Sequence, residues 1–169
     1  MVDPNKELKR HASRIVDILF QEYPDAEISL RYSDEFELLV AVILSAQCTD
    51  ERVNMVTEVL FKKYRTIEDY ANSSAKEFSK DIASVTYFNQ KARWIVSTAR
   101  RIIEIHDGEV PGTMEELLGL PGVGRKTANV VLQHAYGETE GIVVDTHVMR
   151  LSRRMGLVEK KNRDAIEME

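Results

Sequence analysis

The stretch that decides the fold is LPGVGRKTANVVL, from Leu120 to Leu132. Pro121, Gly122 and Gly124 interrupt two segments whose apolar residues recur at helical spacing. Proline fixes one φ angle, and glycine permits positive φ and a close approach of the backbone. The spacing therefore predicts two helices joined by a tight hairpin, with the second helix beginning at Arg125.

The hairpin loop can bind an anion, because backbone amides converge at the start of a helix. The amides belong to Gly122, Val123, Gly124 and Arg125. The loop has no side chain suited to reading a base, so a phosphate of a nucleic-acid backbone is the ligand that we expect. The alternative is a plain helix–helix connection without a ligand.

The second helix opens with two cations, Arg125 and Lys126. Cations at a helix N-terminus oppose the helix dipole, at a cost of about 0.3–1 kcal/mol each. The same field, the neighbouring guanidinium and partial burial would disfavour the protonated form of a lysine, whose pKa is otherwise about 10.4. The placement therefore suits a nucleophilic amine, although the residues alone leave a simple phosphate contact equally open.

The composition describes a globular protein of 169 residues with a net charge of −5, so a strongly basic nucleic-acid binder is not indicated by the total charge. Cys48 is the single cysteine, which excludes an internal disulfide framework and a cysteine-built metal site within this chain. The chain shows neither a signal peptide nor a run of membrane-spanning length. We expect an intracellular, cytoplasmic setting.

The apolar pattern is helical nearly throughout and predicts an all-α fold of many short helices. FELLVAVILSAQ, residues 36–47, is apolar on almost every face and predicts a buried central helix. Residues 24–137 are predicted to form a six-helix core with the hairpin at 113–136. Residues 1–23 and 138–169 are predicted to form part of a second helical lobe.

Several helix boundaries follow from capping patterns in the sequence. The predicted N-caps are Asp50, Thr66, Thr113 (with Glu116 in a capping box) and Asp145. The predicted helix ends are Pro24, Gly137 and Gly156.

LPGVGRKTANVVL resembles the helix-hairpin-helix motif of the endonuclease III family, and further blocks match that family in order and spacing. They are FELLVAVILSAQCTD, YFNQKA, HDGEVP and VVDTHVMR. The resemblance implies a bifunctional DNA glycosylase and AP lyase of base excision repair. Such an enzyme removes an oxidised pyrimidine from duplex DNA and then nicks the strand by β-elimination.

The resemblance implies two catalytic residues. Lys126 matches the family lysine that attacks the sugar C1′ and forms a Schiff base. Asp145 matches the second catalytic residue, which assists proton transfer and stabilises positive charge on the sugar, and it can also serve as an N-cap. His147 is interpreted as structural.

The resemblance also implies residues that open the duplex. Gln47 matches the glutamine that fills the gap left by the extruded base, and Tyr87 falls where the family inserts an apolar wedge. Thr86 replaces a glycine that is frequent in this loop, so core packing of Tyr87 remains open. Lys91, with Arg93, is predicted to contact the DNA backbone, with a solvated helix face as the alternative.

The family usually continues into a segment whose four cysteines bind a [4Fe–4S] cluster, and these ligands are absent here. We therefore expect a truncated chain with an incomplete second lobe and no cofactor of its own. The expected partner is double-stranded DNA with a damaged pyrimidine or an abasic site. We expect the protein to be a monomer and not to associate with a membrane. A non-catalytic helix-hairpin-helix module or an inactive fragment is the alternative, and Lys126 argues against the monofunctional relatives.

Overall fold

The computed structural model describes residues 4–168, and within this range every regular element is helical. The all-α prediction is confirmed. The helices are α1 (Pro4–Glu22), α2 (Glu35–Ser45), α3 (Asp50–Lys63), α4 (Ile67–Asn72), α5 (Ala75–Asp81), α6 (Phe88–Ile105), α7 (Met114–Leu118), α8 (Arg125–Val131), α9 (Thr146–Arg154) and α10 (Arg163–Glu167). A π-helical turn, Leu132–Tyr136, continues α8.

The chain divides into two compact units. The larger unit is Ser29–Glu140 and contains α2 to α8. The smaller unit combines the chain up to Ile28 with the chain from Gly141 onward, and contains α1, α9 and α10. The boundaries at 23/24 and 137/138 that the sequence suggested for a six-helix core stay a prediction.

Helix α2 is the centre of the larger unit. Its residues 38–44 are all buried, which agrees with an apolar pattern that leaves no polar face. It packs against α3, α6 and α8. Asp34 caps the N-terminus of α2 by accepting the Glu37 amide at 2.7 Å, which fixes the residue at which this helix begins.

The N-caps at Thr66, Thr113 and Asp145 are confirmed, and the one at α3 is not. Thr66 forms a capping box in which Asp69 accepts the amide of Thr66. The Thr113 hydroxyl accepts the amide of Glu116, but the Glu116 carboxylate accepts the Thr113 hydroxyl in place of its amide. Helix α3 begins one residue earlier than expected, because the Thr49 hydroxyl accepts the amide of Arg52 and Asp50 already lies in the first turn. A β-hydroxyl one residue upstream therefore takes the cap position predicted for Asp50.

Helix α5 was not predicted, and it fills the segment between α4 and α6. Ser74 caps it by accepting the Glu77 amide at 3.1 Å, and the Ser74 hydroxyl lies 3.0 Å from the Glu77 carboxylate. Its seven residues are too few for a clear apolar repeat, which explains the omission. The helix predicted from Arg125 to Gly137 is confirmed in extent, with Gly137 in the left-handed conformation at its end.

Candidate active site

Three side chains on one face of α6 position the candidate site. Lys91, Trp94 and Thr98 follow one another at i, i+3 and i+7, the spacing of a single helical stripe. Lys91 reaches the end of α2, and the other two reach the hairpin loop between α7 and α8. From Lys91 to Thr98 the helix rises about 10 Å, so α6 sets the separation between the two parts of the site.

The hairpin loop is held against α6 by a hydrogen bond and by a close contact. The Thr98 hydroxyl donates to the carbonyl of Pro121 at 2.8 Å. Gly122 has a φ of +78°, and a Cβ at this position would lie 2.6 Å from Cγ of Trp94. Only glycine satisfies both the backbone angle and the contact, so Gly122 is required by the packing of the hairpin.

The four loop amides predicted to bind an anion do not all point to solvent. Val123 is buried, and its amide donates to the carbonyl of Leu120 at 3.2 Å. The turn itself therefore uses the Val123 amide as a donor, and the DNA contact of Val123 stays a prediction. Gly124 is exposed at the N-cap of α8, and a Cβ there would meet no atom within 4 Å.

Lys126 lies in the first turn of α8, as the sequence predicted, and its side chain is exposed. The partial burial that we expected for this residue is wrong. Arg125 beside it is half-buried. The side chain of Lys126 is thus accessible to a large ligand, two residues after the exposed Gly124.

Gln47 lies in a tight turn immediately after α2. Ala46 has φ −56° and ψ 113°, Gln47 has φ +55°, and the amide of Cys48 donates to the carbonyl of Ser45 at 3.0 Å. These are the features of a type II β-turn, in which the residue with positive φ is usually glycine or asparagine. Gln47 is exposed, so the chain presents a long amide side chain from a position that local preferences would give to glycine.

Tyr87 is the second exposed side chain on a left-handed residue. It has φ +56° at the N-cap of α6 and is 66% exposed, which excludes the core packing left open above. The hydroxyl of the preceding residue, Thr86, donates to the carbonyl of Gln47 at 2.6 Å. The two loops that carry Gln47 and Tyr87 are therefore neighbours in the fold.

Lys91 does not have the role that the sequence suggested. The residue is 1% exposed, and its Nζ donates to the carbonyls of Leu44 at 2.8 Å and of Ala46 at 2.7 Å. Burial lowers the pKa of Lys91 below its usual value. A contact with the DNA backbone is excluded because the ammonium is enclosed and bound to the end of α2. Arg93, two residues further, is exposed.

Asp145 is the N-cap of α9 in the smaller unit, as predicted. Its Oδ1 accepts the amides of His147 and Val148, each at 2.8 Å. A carboxylate that caps a helix in this way is held in one orientation by the two amides. His147 is exposed, and its ring lies 3.5 Å from the Arg150 guanidinium.

The structure thus brings Gln47, Tyr87 and Lys91 together and ties the hairpin to the same helix. Thr86, Trp94 and Thr98, which the sequence analysis did not assign, make these connections. One signal was available in the sequence: Lys91, Trp94 and Thr98 share a stripe with the apolar residues of α6. Which partner each would meet could not be read from that stripe.

Comparison with known proteins identifies the family. Residues 40–169 match the HhH-GPD superfamily of base excision DNA repair proteins. The chain is 52% identical over 161 residues to endonuclease III of Synechocystis, covering 95% of this chain and 73% of that protein. The chain belongs to the endonuclease III family. This endonuclease III homologue is accordingly a DNA glycosylase of base excision repair, in a family for which AP-lyase activity is typical.

Two solved structures resemble this endonuclease III homologue with a TM-score of 0.90 and 43% identity, covering 99% of this chain and 76% of each of theirs. One is a non-covalent complex of endonuclease III with DNA. The other is a trapped covalent intermediate of endonuclease III with DNA, in which an adenine is estranged. The helical architecture and the order of its elements are therefore those of the family.

The residues of this endonuclease III homologue do not fit a [4Fe–4S] cluster. Such a cluster needs four thiolate ligands, and Cys48 is the single cysteine of the chain. Between residues 4 and 168, His, Cys, Asp and Glu form no group of three or more that could hold a metal ion.

A separate property concerns membranes. Within the described part of the chain, none of the helices combines the length and the apolar character needed to cross a bilayer.

Proposed function

We propose that this chain excises oxidised pyrimidines from duplex DNA and cleaves the resulting abasic site, with Lys126 as nucleophile and Asp145 as its catalytic partner. The observation that carries the proposal is the exposed side chain of Lys126 in the first turn of α8, directly after the glycine hairpin. The covalent endonuclease III–DNA intermediate among the similar structures supports a reaction through a covalent step.

The lysine would act in two stages. The neutral Nζ attacks C1′ of the extruded nucleotide, the C1′–N glycosidic bond breaks, and the base departs with the bonding electrons and gains a proton. Opening of the sugar ring at O4′ then leaves an iminium between Nζ and C1′. Loss of a proton from C2′ expels the 3′ phosphate, which nicks the strand. Water finally hydrolyses the imine and restores Lys126.

Asp145 would supply the negative charge that these reaction steps need. Positive charge builds on the sugar as the base departs, and an oriented carboxylate stabilises it at no cost of reorganisation. A carboxylate can also accept the proton that Lys126 must lose before it attacks. The two amides that bind Oδ1 of Asp145 support this role, because they fix the carboxylate before substrate arrives.

Gln47 and Tyr87 would open the duplex. Chemistry at C1′ requires the damaged nucleotide to leave the stack, and the vacated space must be filled. The exposed amide of Gln47 can hydrogen-bond the orphaned partner base, and the exposed ring of Tyr87 can insert between bases of the opposite strand. Gly122, Gly124 and Arg125 would contact a phosphate of the damaged strand.

The partner in this proposal is double-stranded DNA that contains an oxidised pyrimidine or an abasic site. Endonuclease III is bound to DNA in both similar structures described above. The enzyme would act as a monomer in the compartment that holds the DNA, which is the cytoplasm, or the nucleoid within it, of a prokaryotic cell.

The decisive experiment is borohydride trapping on a duplex with one abasic site. Borohydride reduces the iminium to a stable amine, so the unaltered chain should form a covalent adduct with DNA and should nick the strand when borohydride is omitted. Lys126→Ala should abolish both products, because no other residue is assigned to the attack. Lys126→Arg is the matched control that keeps a positive charge for DNA binding but offers no nucleophilic amine.

Two results would contradict the proposal. If Lys126→Ala gave a trapped adduct in normal yield, another residue would have to be the nucleophile. A chain that shifts the abasic duplex on a native gel without nicking it would be a helix-hairpin-helix binding module and not a lyase.

A further inference from the structure

The turn that carries Gln47 is fixed by two side chains from another part of the chain. Lys91 Nζ donates to the carbonyls of Leu44 and Ala46, at 2.8 and 2.7 Å. The Thr86 hydroxyl donates to the carbonyl of Gln47, at 2.6 Å. Three carbonyls within four consecutive residues are therefore bound from the loop and first turn of α6.

The lysine is suited to this place by its charge. The last carbonyls of a helix lack partners within the helix and carry its partial negative charge. A buried ammonium is costly unless it is hydrogen-bonded, and the end of α2 supplies two acceptors to Lys91. The ammonium thus gains two hydrogen-bond acceptors, and the carbonyls at the end of α2 gain a donor. These bonds restrict the direction in which the chain continues after α2.

The threonine links two residues that are both in an unfavourable backbone conformation. Gln47 and Tyr87 have φ values of +55° and +56°, and neither is glycine or asparagine. Non-glycine residues keep this conformation only where the surrounding structure imposes it, and they are concentrated at functional sites. Thr86 precedes Tyr87 and binds the carbonyl of Gln47, so one hydroxyl connects the two strained residues.

We propose that Thr86 and Lys91 are positioning residues that hold the side chains of Gln47 and Tyr87 at a fixed separation, so that both enter the duplex together. This inference rests on the proposed roles of Gln47 and Tyr87 in opening DNA. Neither Thr86 nor Lys91 would itself contact the sugar or the base. Their contribution is to the rate at which the damaged nucleotide leaves the stack.

The consequence is a separation between two activities. Excision of a damaged base from a duplex requires unstacking and filling of the gap. Cleavage of an abasic site in a single-stranded oligonucleotide requires Lys126 but no gap to be filled. Loss of the positioning contacts should therefore slow the first activity and leave the second unchanged, whereas general damage to the fold should reduce both.

The test compares Thr86→Val with Thr86→Ser in the full chain. Valine keeps the shape and removes the hydroxyl, and serine keeps the hydroxyl. The substrate is a duplex with an oxidised pyrimidine opposite 2-aminopurine, whose fluorescence rises when it is unstacked. In single-turnover experiments we expect Thr86→Val to slow the fluorescence rise and base release by about 2- to 10-fold, the range for one hydrogen bond. Thr86→Ser should stay within about twofold of the unaltered chain.

A second variant, Lys91→Met, removes two hydrogen bonds and should slow duplex opening more than Thr86→Val does. Both variants are also assayed on a single-stranded abasic oligonucleotide, where rates equal to that of the unaltered chain are expected. If Thr86→Val opens the duplex as fast as Thr86→Ser, or if it loses both activities equally, the positioning role is overturned. If the unaltered chain itself fails to cleave the single strand, the proposed function fails instead.

Discussion

At the scale of single residues, the site is formed by side chains in places that stability alone would not select. Gln47 occupies the turn position at which glycine is favoured, and Tyr87 begins α6 with a left-handed φ and no side-chain cap. Each such residue costs on the order of 1–2 kcal/mol. The exposed side chains that result are the ones available for contact with DNA.

Substitutions of Gln47 should separate stability from activity. Gln47→Gly relieves the backbone strain, so we expect it to be more stable than Gln47→Ala by about 1 kcal/mol, or roughly 2–4 °C in the midpoint of thermal unfolding. Both variants lack the amide and should release the damaged base from duplex DNA equally slowly. Thermal unfolding followed by circular dichroism, with single-turnover excision, measures both effects. Equal midpoints for the two variants would show that the turn is not strained.

The observed cap role of Asp145 and its proposed catalytic role can be distinguished by substitution. Asn caps helices as well as Asp does, so Asp145→Asn should keep the unfolding free energy within about 0.5 kcal/mol, whereas Asp145→Ala should cost about 1 kcal/mol. Excision should fall strongly in both, since neither carries a carboxylate. The measurements are urea unfolding and the single-turnover rate of base release. If Asp145→Asn released the base at the normal rate, Asp145 would be a helix cap and not a catalytic residue.

The local positions of Lys126 and Asp145 could be predicted from the sequence, whereas the supporting contacts could not. Both residues belong to short local patterns, a hairpin and an N-cap, whose geometry depends on neighbouring residues. Lys91 was predicted to contact the DNA backbone or to lie on a solvated helix face, and both predictions assume the exposure that is usual for lysine. Its true partners, Leu44 and Ala46, are more than forty residues away, and such a contact has no local signature.

At the scale of elements, α6 acts as the connection between the hairpin and the turn after α2. The contacts of Trp94 and Thr98 with the hairpin mean that α7 and α8 are not positioned by their own sequence alone. The sequence predicted the hairpin because proline and glycine act locally. It did not predict the π-helical turn after Val131, since a π turn inserts one residue into a helix without changing its composition.

The two glycines of the hairpin should respond differently to alanine. At Gly122 a Cβ would lie 2.6 Å from Trp94 and φ is +78°, so Gly122→Ala should destabilise the chain by about 1–3 kcal/mol. At Gly124 an added Cβ would meet no atom within 4 Å outside the adjacent residues, so the matched variant Gly124→Ala should lose less than about 1 kcal/mol. Urea unfolding measures both values. Equal losses would mean that the Trp94 contact does not restrain the hairpin.

Gly124→Ala also tests where DNA lies. If a phosphate rests against the open face of the hairpin, the added methyl group should weaken binding of a duplex with an uncleavable abasic analogue, although the fold is intact. Fluorescence anisotropy at one fixed salt concentration gives the comparison, because phosphate contacts make affinity depend on salt. Unchanged affinity would place the phosphate elsewhere.

At the scale of the whole molecule, the buried apolar residues are distributed unevenly between the two compact units. Among the described residues all but two of them, Val144 and Ile166, belong to Ser29–Glu140. The smaller unit instead holds many exposed large apolar side chains, namely Leu8, Val16, Ile18, Leu19, Phe20, Tyr23, Ile142, Val148, Leu151 and Met168. The sequence showed helices in both units but gave no measure of how completely each would bury its apolar face.

This distribution predicts that residues 29–140 fold without the rest of the chain. Burial of apolar surface is the main favourable contribution to folding, and nearly all of the fully buried apolar side chains described lie within this segment. The isolated segment should therefore show helical circular dichroism and a single cooperative urea transition. It contains Lys126 but lacks Asp145, so base excision should be lost although the fold is kept. A segment without a cooperative transition would show that the chain ends are needed for the core to form.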